Sequence, residues 1–188
     1  MMGWSHQEGK EIFTLEELIE KFKLEDLKPV GPAFDLKKLE WMNGEYIRKS
    51  QNSRLKTQIL EFYQNKLPED LVEKTIPLIQ ERIKKLSDYL PLAGFFFDKP
   101  KDYEMDLKDM KNLLEKIIQR IELIADWQAK IIGDKLQDLA IETGMKTGEF
   151  FMILRIAITG KKISPPLNES MEILGKSEVI NRLENLIH

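Results

Sequence analysis

Hydrophobic residues recur at helical spacing along most of this chain, whereas the strict alternation typical of β-strands is scarce. The clearest stripe belongs to a helix that begins near Asp106, and its apolar positions are Met110, Leu114, Ile117, Ile121 and Ile124. Residues spaced in this way share one face of a helix and can pack against a core. The pattern predicts an all-α fold built from short helices.

Capping residues mark where two of the predicted helices begin. Thr14 and Glu17 have the spacing of a capping box at the start of FTLEELIEKF. Asp35 follows Phe34 at the start of another amphipathic stretch, and Phe34 and Leu39 have the spacing of a hydrophobic staple. Asp35 is therefore a predicted N-cap.

A turn signal interrupts the segment KLEWMNGEYIRK, residues 38–49. Leu39 and Met42 lie on one side of a predicted helix, with Trp41 as a packing anchor. The dipeptide at 43–44 is Asn-Gly, and both residues tolerate positive φ. We therefore predict two short helices that meet in a tight turn at this dipeptide.

Prolines and glycines divide the rest of the chain into short elements. Pro68 and Pro77 suit the first turns of two successive helices. The segment LPLAGFFFDKPKDY, residues 90–103, is predicted to be a loop whose phenylalanines plug the core. One later helix is predicted to contain Trp127 and to end at Gly144, and the next to be capped by Thr147 and to end at Gly160. Two short helices separated at Gly175 follow, and Ser177 is the predicted cap of the last.

The stretch 99–103, which contains proline and two lysines, is the predicted boundary between domains. It separates an N-terminal piece and a small helical middle from a C-terminal helical part. With 188 residues, 42% of them hydrophobic, the chain is large enough for one compact domain or two small ones.

Composition excludes several kinds of site. The chain has no cysteine, and its two histidines, His6 and His188, lie near the ends, so a thiolate zinc site and a histidine-based catalytic centre are not expected. No apolar run approaches the roughly 20 residues of a membrane helix. No phosphate loop, GxGxxG or nucleophile elbow occurs. We predict no catalytic residue, no metal ligand, no membrane partner and a cytoplasmic location.

The formal net charge of −3 is unusual for a protein that binds nucleic acid mainly through non-specific contacts with phosphates. Local cationic patches nevertheless occur at 48–56, 82–85 and 152–162, and none of them contains an acidic residue. Such patches are also typical of the solvated face of an ordinary helical protein. From charge alone, RNA binding and a plain surface both stay open.

Several segments together resemble a known family. In chain order they are GWS, IFTLEELIEKF, FDLKKLEWMNGEYIRK, LIQERIKKLSDYL, FFF, LRIAITGKK, ILGK and VINRLENL. From about residue 3 to residue 188, the chain resembles the C-terminal half of a bacterial-type glutamyl-tRNA synthetase, a class I glutamate–tRNA ligase. The HIGH-type and KMSKS-type motifs of that family's catalytic domain do not occur in this sequence.

The resemblance implies an organisation and a set of partners. Residues 1–50 would be a stem-contact region, and 51–100 and 101–188 would be two anticodon-binding helical subdomains, each a helical cage. The chain would bind tRNA as a monomer and contribute recognition only. ATP and Mg²⁺ would belong to the catalytic half of the parent enzyme, so this chain would need no cofactor.

The resemblance also assigns roles to residues. Arg82 matches a residue that contacts the third anticodon base, and the positions that match contacts to the other two bases are Arg155, Ser164 and Leu167. The cations expected to contact the tRNA backbone are Arg48, Lys49, Arg54 and Lys56. These residues are suited to their roles because unstacked bases expose their Watson–Crick edges and cations position the phosphates.

A helical protein–protein scaffold without RNA binding is the alternative, supported by the acidic net charge and the amphipathic helices. An independent enzyme lacks support because no catalytic constellation is present. The placement of Arg82, Arg155 and Ser164 should separate the first two hypotheses. A shared exposed surface flanked by cations would favour RNA, whereas opposite faces or burial in salt bridges would favour a scaffold.

Overall fold

The computed structural model describes residues 3–6, 8–27 and 35–187, and this part of the chain is all-α, as predicted. Within those ranges the α-helices are α1 (Leu15–Lys21), α2 (Leu36–Lys49), α3 (Asn52–Phe62), α4 (Glu69–Ile79), α5 (Tyr89–Phe97), α6 (Lys111–Glu122), α7 (Ala129–Glu142), α8 (Thr147–Thr159), α9 (Leu167–Leu174) and α10 (Lys176–Glu184). Single 3-10 turns lie at Leu24–Asp26, Gln80–Arg82, Leu86–Asp88 and Lys108–Met110. None of these helices is long and apolar enough to cross a membrane.

The predicted helix caps at the N-terminal end are confirmed. The Glu17 amide donates to Thr14 Oγ1 at 3.2 Å, and the Thr14 amide donates to Glu17 Oε2 at 2.8 Å, which completes the capping box. Asp35 Oδ1 accepts from the amides of Lys37 and Lys38 at 2.9 and 3.1 Å. The proposed staple partner, Phe34, lies outside the described residues.

The predicted turn at Asn43-Gly44 is wrong, because α2 runs unbroken from residue 36 to residue 49. The side-chain nitrogen Nδ2 of Asn43 donates to the backbone carbonyl of Lys84, which lies 41 residues further along the chain. Gly44 is buried, and a Cβ added to it would lie 3.3 Å from Lys84 Cγ. The dipeptide therefore serves close packing against residue 84. Trp41, predicted to be a packing anchor, is 41% exposed.

Two further predictions on helix limits are wrong. Pro77 lies inside α4, two residues before its end, and does not start a helix. The segment predicted to be a loop forms α5, in which Pro91 occupies the first turn, where its missing N–H has no intrahelical partner to lose. Phe95 and Phe96 are buried, so the predicted apolar plug is present but comes from a helix.

Three later helix starts also differ from the prediction. Trp127 lies before α7, and its indole N–H donates to the carbonyl of Met171 at 3.0 Å. Thr147 is the first residue of α8 and does not cap it. Ser177 lies inside α10, whose N-cap is Gly175. In each case the start of the helix is displaced by one or two residues from its predicted position, while the helix itself is where the apolar pattern placed it.

Buried residues form two hydrophobic clusters. The N cluster is built from α2, α3, α4 and α5, between Ile47 and Phe96. The C cluster is built from α6 to α10 and the segment before them, between Leu107 and Leu183. Leu174 of α9 packs against both, and α9 contacts α4 and α5. The stretch 99–103 lies between the clusters in sequence; the three-part domain division itself stays a prediction.

Candidate nucleic-acid interface

Two arginines from different clusters meet at one loop. Arg155 projects from α8, and its Nη1 donates to Ser164 Oγ at 2.5 Å and to the Pro165 carbonyl at 3.0 Å. Arg82 lies in the 3-10 turn after α4, and its Nη1 is 3.5 Å from the Ser164 carbonyl oxygen, which is a long and weak contact. Three residues predicted to bind the anticodon therefore meet where the two clusters adjoin, a place called the seam below. Arg82 is exposed and Arg155 is partly buried, whereas Ser164 is only 6% exposed.

Local sequence explains how Arg82 reaches this surface. Ile79 and Ile83 are 0% and 1% exposed, so they fix the turn on the core of the N cluster. Arg82 lies between them and is exposed. The apolar neighbours anchor the backbone, and the long side chain carries the guanidinium to the outside.

On the other side of the seam, Gly160 returns the chain across Arg155. Gly160 ends α8 with φ +77°, a left-handed conformation that favours glycine. A Cβ there would lie 2.6 Å from the carbonyl oxygen of Asp102, so the approach of the two backbone segments also requires glycine. The reversal brings Ser164 back to the guanidinium of Arg155.

Neither arginine at the seam is paired with a carboxylate among the described residues. Burial lowers the pKa of Arg155 from its usual range, and the positive charge of Arg82 lowers it further. Two neighbouring cations that lack an ion-pair partner among the described residues favour an anion or the acceptor edge of a base.

A cleft of about 610 Å³ opens beside Arg155, and Leu167 forms part of its wall. Leu167 is 5% exposed at the start of α9 and also packs into the C cluster. The other lining residues are Lys130, Gly133, Asp134, Gln137, Thr147, Phe151, Pro166, Asn168 and Glu169. An apolar wall beside both donors and acceptors can hold a planar ring with a mixed polar edge.

Two residues of this cleft were missed by the sequence analysis. Asn168 has a buried Oδ1 that finds no partner within the part of the chain that the structure describes. Gly133 faces it, and a Cβ at that position would collide with the Asn168 amide. Neither belongs to a recognisable motif, and the only signal was that Asn168 follows Leu167.

The four predicted backbone cations differ in how far their charge is already neutralised. Lys56 lies 2.8 Å from Glu69 and 2.9 Å from Glu73, and hydrogen bonds to these carboxylates raise its pKa. Arg48 donates to Glu45 of the same helix. Lys49 and Arg54 are exposed and form no ion pair with any other described residue. Their cationic heads are the ones available to phosphates.

No group of three or more histidine, aspartate or glutamate side chains stands close enough to hold a metal ion in ranges 3–6, 8–27 and 35–187. The seam itself carries hydrogen-bond donors and positive charge. Its donors point to recognition of a polar, acceptor-bearing ligand.

Comparison with known proteins gives consistent matches. A family model described as an anticodon binding domain matches residues 36–187. The glutamate–tRNA ligase of Dehalococcoides mccartyi is 33% identical over 199 residues, which cover 97% of this chain and 41% of that protein. Glutamate–tRNA ligase 1 of Fervidobacterium nodosum is 34% identical over 183 residues, which cover 97% of this chain and 39% of that protein. The chain thus spans about two-fifths of the length of these relatives.

Solved structures agree with the sequence matches. The crystal structure of a glutamate tRNA ligase from Elizabethkingia meningosepticum, in complex with its amino acid, superposes with a TM-score of 0.86 and 27% identity. That match covers 100% of this chain and 39% of the other. The corresponding enzyme from Elizabethkingia anophelis gives a TM-score of 0.84 at the same identity. The likeness therefore extends over both clusters.

Proposed function

The chain belongs to the anticodon-binding domain family, and from this premise we propose that it binds the anticodon arm of a tRNA. The observation that carries the proposal is the meeting of Arg82 and Arg155 at Ser164, without a carboxylate partner among the described residues. Unstacked loop bases expose edges that guanidinium groups can bind. The cleft beside Arg155 offers room for such a base.

The tRNA is the one for glutamate, since the similar curated proteins are glutamate–tRNA ligases. This chain supplies recognition, and its partner is the catalytic half of the parent enzyme. Activation of glutamate, with its ATP and Mg²⁺, belongs to that half. The chain itself works as a monomer in the cytoplasm and uses no cofactor.

Arg82 contacts the third anticodon base, and Arg155, Ser164 and Leu167 contact the other two. Arg155 Nη1 already donates hydrogen bonds to Ser164 and Pro165, so the guanidinium is held in position before RNA binds. A fixed guanidinium loses little conformational entropy on binding. Leu167 is held in the core and offers an apolar edge for a base to lie against.

The cations Arg48, Lys49, Arg54 and Lys56 contact the tRNA backbone without selecting its sequence. Their placement on α2 and α3 puts them on helices of the N cluster, apart in sequence from the base contacts. Lys49 and Arg54 contribute most, because Lys56 and Arg48 already face carboxylates.

The alternative, a helical scaffold without RNA binding, is not favoured by the family match. Arg82, Arg155 and Ser164 also do not lie on opposite faces, and neither arginine is buried in a salt bridge among the described residues. Both features argue against the scaffold, while of the shared exposed surface expected for RNA only Arg82 is fully exposed and Ser164 is buried.

A titration with RNA hairpins tests the proposal. One hairpin carries the anticodon loop of the glutamate tRNA, and the other has the same stem with a scrambled loop. The wild-type chain should prefer the first, and Arg155→Gln should lose most of that preference. Lys111→Gln, which removes one exposed charge at the start of α6, is the matched control and should keep it. Equal binding of both hairpins by the wild type would refute anticodon recognition.

A further inference from the structure

A second, smaller cleft lies between α2 and α3 and has no part in the proposed anticodon contacts. Its volume is about 210 Å³, below the roughly 300–1,000 Å³ of drug-sized pockets, so it suits a single small ring. The residues that form it and matter here are Asn43, Tyr46, Ile47, Arg54, Gln58 and Leu86.

The walls of this cleft are held in place by hydrogen bonds from outside it. Gln80 Nε2 donates to the carbonyls of Ile47 at 2.8 Å and Ser50 at 2.7 Å, which fixes the corner between α2 and α3. The Tyr63 hydroxyl donates to the carbonyl of Leu86 at 3.2 Å and fixes the opposite wall. The cleft is thus formed before any ligand binds.

The lining combines an aromatic ring, a free cation and an apolar floor. Tyr46 is 53% exposed at the rim, and Ile47 is 6% exposed beneath it. Arg54 forms no ion pair with any other described residue. Among the described residues, no carboxylate lines this cleft, whereas Asp134 and Glu169 line the cleft beside Arg155.

We propose that this cleft binds one unstacked nucleotide of the bound tRNA, with its base stacked on Tyr46 and its phosphate against Arg54. Proteins that hold single-stranded RNA combine aromatic stacking faces with cations in this way. The inference rests on the proposed function, since it takes the partner to be RNA. An acidic peptide could use Arg54 but would leave the tyrosine ring without a flat partner, so the nucleotide is favoured.

Substitutions at Tyr46 separate stacking from packing. With a full-length tRNA transcript, Tyr46→Leu should weaken binding about 5- to 150-fold, the usual range for loss of a stacking ring. Tyr46→Phe keeps the ring and should bind like the wild type. Phe62→Leu is the matched control, because Phe62 is 51% exposed on α3 but does not line the cleft. Melting temperatures of all variants verify that they fold.

Photo-crosslinking gives an independent readout. A tRNA transcript that carries 4-thiouridine should form an adduct within residues 43–58 of the wild type, and Tyr46→Leu should abolish it. If the wild type binds tRNA but Tyr46→Leu binds equally well, or adducts form only elsewhere, the nucleotide site is refuted and the proposed function stands. If Tyr46→Phe or Phe62→Leu loses as much affinity as Tyr46→Leu, stacking is refuted. If the wild type binds no tRNA, the proposed function fails as well.

Discussion

At the scale of single residues, Arg82 and Arg155 differ in how much of their hydrogen-bonding capacity is already used. Arg155 Nη1 donates to Ser164 and Pro165, whereas Arg82 has one long contact, at 3.5 Å, with the Ser164 carbonyl. Arg82 is also exposed. Its donors are therefore available to a base, while Arg155 is in part a structural tie of the loop.

We expect Arg82→Gln to narrow the preference for C over G at the third anticodon base by roughly 1–3 kcal/mol, the usual worth of a good base contact. The variant should keep its fold, because the guanidinium of Arg82 is exposed and its removal leaves few buried polar groups without a hydrogen-bond partner. Titration with two anticodon hairpins that differ only at this base measures the effect. Lys49→Gln is the control and should weaken both hairpins alike. An equal loss for both hairpins in Arg82→Gln would make Arg82 a phosphate contact.

Tyr89 is a residue whose ionisation bears on stability. It is fully buried, and burial raises its pKa to about 12 from an ordinary value of 10.0. Its hydroxyl shares a hydrogen bond of 2.6 Å with Thr75 Oγ1. The folded state thus prefers the neutral phenol, and above pH 10 the unfolded chain ionises first.

We expect wild-type stability to fall by about 2–3 kcal/mol through this group between pH 10 and pH 12. Tyr89→Phe cannot ionise and should escape that loss. Near pH 8 the variant should be less stable by about 1 kcal/mol for the missing hydrogen bond, since Thr75 still donates to the Leu71 carbonyl. Urea unfolding of both proteins from pH 8 to pH 11.5 should show their difference shrink and then reverse. A constant difference would contradict the raised pKa.

At the scale of elements, the site depends on how α8 ends. Gly160 adopts φ +77° and lets residues 161–166 fold back over Arg155. The Glu104 amide donates to the Gly160 carbonyl at 2.9 Å, and the Lys162 amide donates to Glu104 Oε2 at 2.7 Å. The helix end, the returning loop and the stretch that joins the clusters are therefore tied together.

Gly160→Ala should destabilise the protein more than Gly144→Ala. Both glycines have positive φ, +77° and +68°, which costs an alanine about 1–2 kcal/mol. A Cβ at residue 144 meets nothing within 4 Å, whereas at residue 160 it lies 2.6 Å from the Asp102 carbonyl oxygen. The clash should add about 1–3 kcal/mol. Chemical denaturation of both variants measures the difference in their free energies of unfolding. If both variants lose the same stability, the backbone near residue 102 moves away from the added Cβ at no cost in free energy.

At the scale of the whole molecule, RNA binding must overcome a net charge of −3. The cations that can do so lie in local patches, and a cation that already forms an ion pair contributes less to phosphate binding. Lys49 is exposed and unpaired within the described ranges, whereas Lys56 faces Glu69 and Glu73. The position of a lysine in the sequence does not distinguish these two cases.

We expect Lys49→Ala to reduce the slope of log affinity against log salt by about 0.7–0.9, the value of one phosphate contact. Lys56→Ala should change the slope less, because two carboxylates already neutralise that lysine. Both variants should weaken all tRNAs alike. Filter binding of several tRNAs between low and physiological salt measures this. A larger slope change for Lys56→Ala, or a changed preference among tRNAs, would contradict these roles.

Features set by neighbours in the chain could be predicted from the sequence alone. The capping box at Thr14 and Glu17, the N-cap at Asp35 and the left-handed end at Gly160 depend on contacts within four residues or on one residue's φ preference. Helical spacing of apolar residues likewise determined the all-α class. The family resemblance, carried by ordered segments, supplied Arg82, Arg155, Ser164 and Leu167 as candidates, whose contacts with RNA stay predictions.

Tertiary structure decided where local preference and packing disagree. Asn43 and Gly44 favour a turn, but the contact with Lys84 keeps α2 intact. The apolar run at 89–97 forms a helix because it can bury Phe95 and Phe96 in the N cluster. The meeting of Arg82 with Ser164 joins residues 82 positions apart, across two cores. Periodicity and capping concern only near neighbours in the chain, so they do not predict that Arg82 and Ser164 come together in space. The packing of α9 against α4 and α5 brings the two clusters together.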